Sequence, residues 1–166
     1  MGYTHYWRRS VKNAGSAFMF GKLSLDVKML CEHANAAGIR IRGAYGKGEP
    51  EFNEGYFSLN GDADGRDLAH ETFYWEGMPK QPEYRKHELQ TFDFCKTNYK
   101  PYDAVVTAIL IRAKHIYGDC VSVSSDGKWD CDNNFSDGYG SWVKGRELYE
   151  QVFGEIAECP FDRVSA

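Results

Sequence analysis

With 166 residues, 42% of them hydrophobic, the chain is long enough for one domain with its own core, and this composition argues against a disordered protein. Its net charge of −4 and the lack of a long basic run argue against a protein that wraps duplex DNA, because such a protein needs a basic face. We therefore predict a single domain over residues 1–166 that does not bind duplex nucleic acid.

Cysteine and histidine spacing gives no sign of a disulfide framework or a metal site. The cysteines are odd in number and form no C-x-x-C pair, so we predict buried free thiols at Cys31, Cys95, Cys120, Cys131 and Cys159. No metal or cofactor is predicted. The longest apolar stretch, 104–111, is too short to cross a bilayer, and the polar N-terminus is unlike a signal peptide. These features predict a cytoplasmic protein with no membrane partner.

The first segment with alternating side chains is predicted to be a strand over residues 3–9, with one face formed by Tyr3, His5 and Trp7. A helix is predicted to follow over residues 24–37. Ser24 can cap its first turn, apolar side chains recur at helical spacing, and Gly38 can end it.

Short strands are predicted in succession after this helix, at residues 39–42, 56–59, 71–75 and 91–97. The dipeptide Asn60-Gly61 is a strong turn signal behind the second of these strands. The glycines at 43–48 have neither dinucleotide-binding nor Walker spacing, so this segment is predicted to be a flexible loop.

The longest helix is predicted over residues 101–117, because Pro101 suits a first turn and the middle of the segment is apolar. A strand around Val121 and Val123 and a last helix, capped by Ser141 and reaching Val152, complete the chain. Successive strands with few helices favour an α+β domain. We predict a mostly antiparallel or mixed sheet covered by two to three helices.

The segment between Thr91 and Asp103 has the richest candidate chemistry. Lys96 and Thr97 end a predicted strand, and Lys100 precedes the longest helix, whose start presents unpaired N–H groups and partial positive charge. Two ammonium groups, a hydroxyl and a helix start together predict a seat for phosphate or another anion. In the alternative interpretation, Asp103 only complements the helix dipole and both lysines face solvent. The sequence leaves both interpretations open.

The remaining candidates are aromatic or polar residues near predicted strand ends. Rings that could contact a base are Tyr6, Trp7, Phe73 and Tyr102. Groups that could bind hydroxyls or orient the lysines are Asn60, Glu71, Thr72 and Asp103. Ser125 and Asp126 follow a central strand, where site residues are common, and His5 could act as an acid, a base or an anion donor. In the alternative interpretation, the rings fill the core and the polar groups form turns.

Five short blocks stand out among these candidates: MGYTHYW at 1–7, ETF at 71–73, FDFCKT at 92–97, KPYD at 100–103 and SDG at 125–127. Together they resemble a family of small uncharacterised proteins from bacteriophages and prophages. The resemblance implies an accessory protein that works in the cytoplasm of a bacterial host cell. Small phage proteins of this kind are often counter-defence factors, which trap nucleotide immune signals or cleave them.

The residues and the resemblance together predict a protein that binds and sequesters a small anionic nucleotide-type signalling molecule. One alternative is a metal-independent hydrolase or phosphodiesterase, with His5 or Glu71 as acid or base and Lys96 stabilising developing charge. Another is an inhibitor that binds a host protein. Whether the protein is an enzyme stays open, as does its oligomeric state, a homo-oligomer included.

Overall fold

Six strands and three α-helices make up the computed structural model, which describes residues 2–130 and 142–162. In chain order the elements are β1 (Thr4–Ser10), α1 (Ala17–Ala36), β2 (Glu51–Phe52), β3 (Tyr56–Leu59), β4 (Phe73–Glu76), β5 (Gln90–Lys96), α2 (Asp103–Tyr117), β6 (Val121–Ser125) and α3 (Val143–Phe153). Single 3₁₀ turns lie at Ala44–Gly46, Glu83–Arg85 and Gly118–Cys120.

The strands form two three-stranded antiparallel sheets, ordered β5-β1-β6 and β2-β3-β4. In the first sheet β1 is central, so Tyr6 lies opposite both Phe94 and Ser124. The alternation predicted for β1 is confirmed, because Tyr3, His5 and Trp7 are all buried. Helices with two antiparallel sheets confirm the predicted α+β class.

The core lies between the inner faces of the two sheets and the helices. Trp7 of the first sheet contacts Phe73 of the second with ring centroids 5.0 Å apart, and Phe20 of α1 stacks on Phe57 of β3. Helix α2 packs against α1, α3 and β6, and most of its side chains are buried. Its apolar middle, noted in the sequence, thus reflects a helix surrounded by other elements.

The first helix begins earlier than predicted. Its N-cap is Ser16, whose Oγ accepts a hydrogen bond from the Met19 N–H at 3.1 Å, and Ser24 lies inside the helix. Phe18 in the first turn is exposed, so this turn lacks the apolar spacing that marks the rest of the helix.

Two other local predictions are wrong. Residues 39–42 form no strand but a single bridge, in which the N–H groups of Arg42 and Asn60 each donate to the other's carbonyl. Asn60 is not in a tight hairpin turn either. Its buried side-chain amide forms hydrogen bonds with the backbone of Gly61 and His70 and so fixes the long loop between β3 and β4. The predicted cap Ser141 lies outside the described residues.

Candidate functional site

The predicted anion seat at the start of α2 is occupied by the chain itself. The N–H groups of Asp103, Ala104 and Val105 donate to the carbonyls of the turn before the helix, at 2.9, 3.3 and 2.9 Å. These three residues are also buried. The first N–H groups of α2 therefore already have partners and do not face solvent, which removes the basis of the prediction.

The polar side chains predicted for this seat point elsewhere. Thr97 is fully buried and its hydroxyl donates to Oδ1 of Asp103 at 2.5 Å. Nζ of Lys100 lies 3.4 Å from Oδ2 of the exposed Asp67. The Lys96 side chain runs along Gly2, so closely that a Cβ there would meet its Cε at 1.9 Å. Thr97 is thus used inside the core, while Lys96 lies against Gly2 and Lys100 against Asp67.

His5, Asp103 and Ser125 form a buried hydrogen-bonded chain. His5 Nδ1 lies 2.8 Å from Ser125 Oγ, and His5 Nε2 lies 2.6 Å from Asp103 Oδ1. Ser125 Oγ also accepts from the Gly127 N–H and from Trp142 Nε1, at 2.9 and 3.1 Å. Both Oγ lone pairs are thus used, so its own proton goes to Nδ1 and His5 donates from Nε2 to Asp103.

This composition resembles a catalytic triad, but the geometry suits a structural role. A nucleophile needs a free lone pair and access, whereas both lone pairs of Ser125 are taken and His5 has no exposed surface. The chain of bonds fixes β1, β6 and the start of α2 against one another.

The predicted base-contacting rings are mostly core residues. Trp7, Phe73 and Tyr102 are each at most 2% exposed, and the Tyr102 hydroxyl donates to the Glu71 carbonyl at 2.6 Å. Tyr6 is half-buried on the outer face of the first sheet, with its hydroxyl 3.3 Å from Asp126. Desolvation raises the pKa of the Tyr102 hydroxyl, which stays neutral and acts as a donor.

The predicted polar residues divide between the loop and a groove. One Glu71 oxygen accepts the Lys96 N–H at 2.7 Å, and Thr72 Oγ1 accepts from the Tyr45 N–H and from the Asn60 amide. Glu71 and Thr72 line a groove, while Asn60 is buried behind it. The Asp126 carboxylate accepts a hydrogen bond from the Thr4 N–H and so stabilises the end of the first sheet.

Sequence reasoning missed a pocket of about 200 Å³ between β4, the β1–β5 strand pair and residues 79–85. Arg9 and Thr91, which lie directly opposite one another in the β1–β5 pair, form part of its wall. Rings at the pocket include Tyr74, Tyr84 and Phe92, and polar side chains include Glu76, Lys80, Gln81, Arg85 and Asp93.

Arg9 is the unusual group in this pocket. It is 2% exposed, its guanidinium lies 4.3 Å from the Trp75 ring, and it donates to the backbone carbonyls of Glu76, Gly77 and Ala14. In the described part of the chain its Nε has no hydrogen-bond partner, and neither has the buried hydroxyl of Thr91. Within residues 2–130 and 142–162, no carboxylate forms an ion pair with Arg9.

Burial lowers the pKa of Arg9, against the opposing effects of Tyr117, Asp93 and Glu76. A guanidinium is charged at any ordinary pH, so this side chain is a buried cation without a direct anionic partner. The signal was present in the sequence, since the alternation that puts Tyr3, His5 and Trp7 on one face puts Arg9 there as well.

Comparison with protein-family models, curated proteins and solved structures finds no match to this chain. No helix among the described residues is both long enough and apolar enough to pass through a bilayer. Over the same residues, no group of three or more His, Cys, Asp or Glu side chains is arranged to hold a metal ion.

Proposed function

We propose that the protein binds, and thereby sequesters, a small anionic nucleotide-type molecule whose oxyanion group is held by Arg9 and Thr91. The observation that carries this proposal is the buried guanidinium of Arg9 with an unused Nε–H, directly across the strand pair from Thr91, whose hydroxyl is also unused among the described residues. A buried cation without a counterion is costly, and each unsatisfied donor adds to that cost. Both donors are buried, so binding requires the side chains that cover them to move aside. One oxygen of a phosphate or carboxylate that then accepts from both groups removes both penalties.

The surroundings of Arg9 favour a nucleotide-type guest over a bare ion. Tyr74 and Tyr84 are exposed rings at the pocket, and Lys80 and Arg85 add positive charge beside them. A volume of about 200 Å³ is too small to enclose a whole nucleotide, so the remainder of such a ligand would lie over the exposed rings. Stacking on rings combined with cations that bind phosphate is the usual chemistry of nucleotide recognition.

Binding without cleavage is the form of the proposal that the geometry supports better. His5, the acid or base of the hydrolase alternative, is buried in the Ser125–Asp103 chain and does not line this pocket. The resemblance to phage accessory proteins supplies the context in which trapping a nucleotide signal would be useful.

Calorimetric titration and thermal-shift measurements with AMP, cyclic di-AMP and inorganic phosphate test the proposal. A ligand bound only by the folded state raises the unfolding temperature. We expect Thr91→Val to keep the fold, because it removes an unpaired hydroxyl from a buried position, and to weaken binding about 10- to 150-fold, the usual effect of one hydrogen bond to a charged group. Arg9→Met should abolish binding.

Arg66→Met is the matched control, because Arg66 is exposed and does not line the pocket. The proposal fails if no probe raises the unfolding temperature, or if Thr91→Val binds as tightly as the parent protein. Recovering the intact ligand after denaturation supports sequestration, whereas a new product supports the hydrolase alternative.

A further inference from the structure

A second concave surface lies on the other side of Tyr74. This groove, of about 790 Å³, runs along the outer face of the β2-β3-β4 sheet and is bordered by the end of β5. Its lining includes four rings and two carboxylates: Tyr45, Tyr56, Tyr74, Phe94, Glu51 and Glu71. We call it the aromatic groove. Among the residues that the structure describes, no lysine or arginine lines it, in contrast to the pocket at Arg9.

The rings of the aromatic groove are presented to solvent rather than packed away. Tyr45 is 84% exposed and Phe94 is 53% exposed, and the Tyr74 ring lies 4.9 Å from the Tyr56 ring. Tyr45 also has a left-handed backbone with φ of 60°, which is costly for a bulky residue, and its N–H is held by Thr72 Oγ1. Neighbouring contacts therefore hold an exposed ring at the edge of the groove.

The acidic side chains of the aromatic groove are Glu51 and Glu71, and one imidazole, that of His70, also lines it. Glu71 uses one carboxylate oxygen for the Lys96 N–H, and Glu51 uses one for the Tyr56 hydroxyl. Each carboxylate keeps a second oxygen for a guest. The face of an aromatic ring is also negative, because of its quadrupole. Rings and carboxylates together attract a cation, and the apolar area of the rings favours one with alkyl groups over a hydrated metal ion.

We propose that the aromatic groove is a second binding site, which takes an organic cation with an alkylated ammonium head. It shares Tyr74 with the pocket at Arg9 but is lined by different charged residues, and it does not depend on the proposed oxyanion site being occupied. A phosphate-bearing ligand is disfavoured here, since Glu51 and Glu71 would repel it.

Choline and its neutral isostere 3,3-dimethylbutan-1-ol provide a matched pair of probes. They have nearly the same shape and differ in charge, so the difference in affinity measures the electrostatic part of recognition. In NMR titrations we expect choline to shift the groove resonances in a saturable manner and to bind about tenfold or more tightly than the isostere. Glu51→Gln, an exposed change on a short edge strand, should weaken choline binding about 3- to 10-fold.

Thr91→Val should leave choline affinity unchanged, which separates this site from the one at Arg9. The inference is overturned if choline causes no saturable shift, if the neutral isostere binds equally well, or if Glu51→Gln has no effect in a protein whose unfolding temperature is unaltered. It is also overturned if the choline shifts map to the Arg9 pocket.

Discussion

Nε2 of His5 lies 2.6 Å from Oδ1 of Asp103, and this contact joins the central strand of the first sheet to the start of the most buried helix. The same oxygen accepts from Thr97, and the other nitrogen of His5 bonds Ser125. Four residues considered for ligand binding thus satisfy one another inside the protein. These residues have a structural role, so we expect their substitution to lower the free energy of unfolding.

Asp103→Ala tests that role. It leaves His5 and Thr97 as buried donors without their acceptor, so we expect the free energy of unfolding to fall by about 2–4 kcal/mol. Asp103→Asn keeps an acceptor oxygen and should cost less. Urea unfolding followed by circular dichroism measures both. Glu83→Ala, at an exposed residue whose carboxylate pairs with Lys86, is the control and should change stability by less than about 0.5 kcal/mol. A loss below about 1 kcal/mol for Asp103→Ala would contradict the structural role.

Alternation along β1 could be predicted from sequence because it depends only on the strand period. The sequence could not show whether a polar residue on that buried face contacts a ligand or another side chain of the protein, because the partner of His5 lies 98 positions away. Thr97 and Asp103 are close in sequence, yet their pairing depends on the turn before α2. The sequence does not show the shape of that turn, so a helix start with lysines and a hydroxyl is interpreted as an anion site. The Arg9 pocket could not be predicted for the opposite reason, because only the fold shows that no carboxylate of the described residues forms an ion pair with this buried guanidinium.

The N-terminal boundary of α1 gives a second prediction, with its control in the same helix. Ser16→Ala removes the hydroxyl that accepts the Met19 N–H and should lower the free energy of unfolding by about 1 kcal/mol. Ser24→Ala, inside the helix, should leave stability unchanged or raise it by a few tenths of a kcal/mol, because alanine is the better helix former. Equal losses from both changes would show that Ser16 is not the cap. Thermal and urea unfolding of the two variants measure this difference.

The third prediction concerns pH at the Arg9 pocket. The Asp93 side chain is exposed, but partial desolvation raises the pKa of its carboxyl, against the opposing effect of the Arg9 charge, and Glu76 raises it further. A carboxyl with a raised pKa in the fold gains its proton above the usual range, and the loss of its charge removes repulsion toward an oxyanion. Sulfate affinity should therefore rise as pH falls through the interval between the ordinary and the raised pKa of Asp93.

Asp93→Asn should bind sulfate at neutral pH as tightly as the parent protein does at acid pH, with a flatter pH profile. The same sign applies to stability. Folding favours the protonated carboxyl, so its contribution is lost as pH rises, and Asp93→Asn should stabilise the fold more at neutral pH than at acid pH. Sulfate is a suitable probe because its charge is constant over this range. An unchanged slope in Asp93→Asn would assign the pH dependence to another group.

Thiol reactivity gives a fourth prediction. Burial raises the pKa of Cys31 to about 12 and also raises the pKa of the buried Cys95. The predicted burial is wrong for Cys159, which is exposed, and Cys131 lies outside the described residues. The thiolate is the reactive form, so a maleimide at neutral pH should label Cys159 quickly and leave Cys31 and Cys95 unlabelled until the protein unfolds. Peptide mass spectrometry with and without denaturant identifies the labelled residues. Rapid labelling of Cys31 in the native protein would contradict its burial.

Tyr45 and Tyr84 allow a final comparison, because both side chains are 84% exposed but only Tyr45 has a left-handed backbone. A bulky L-residue in that conformation costs about 1–2 kcal/mol, while glycine adopts it freely at an entropic cost of about 0.5–1 kcal/mol. Tyr45→Gly should therefore keep the free energy of unfolding or raise it by up to about 1 kcal/mol, whereas Tyr84→Gly should lower it by about 0.5–1 kcal/mol. At the same time Tyr45→Gly removes a ring from the aromatic groove, so choline should bind more weakly while the fold becomes no less stable. If Tyr45→Gly instead destabilises the protein as much as Tyr84→Gly does, the left-handed backbone at Tyr45 does not lower the stability of the folded protein.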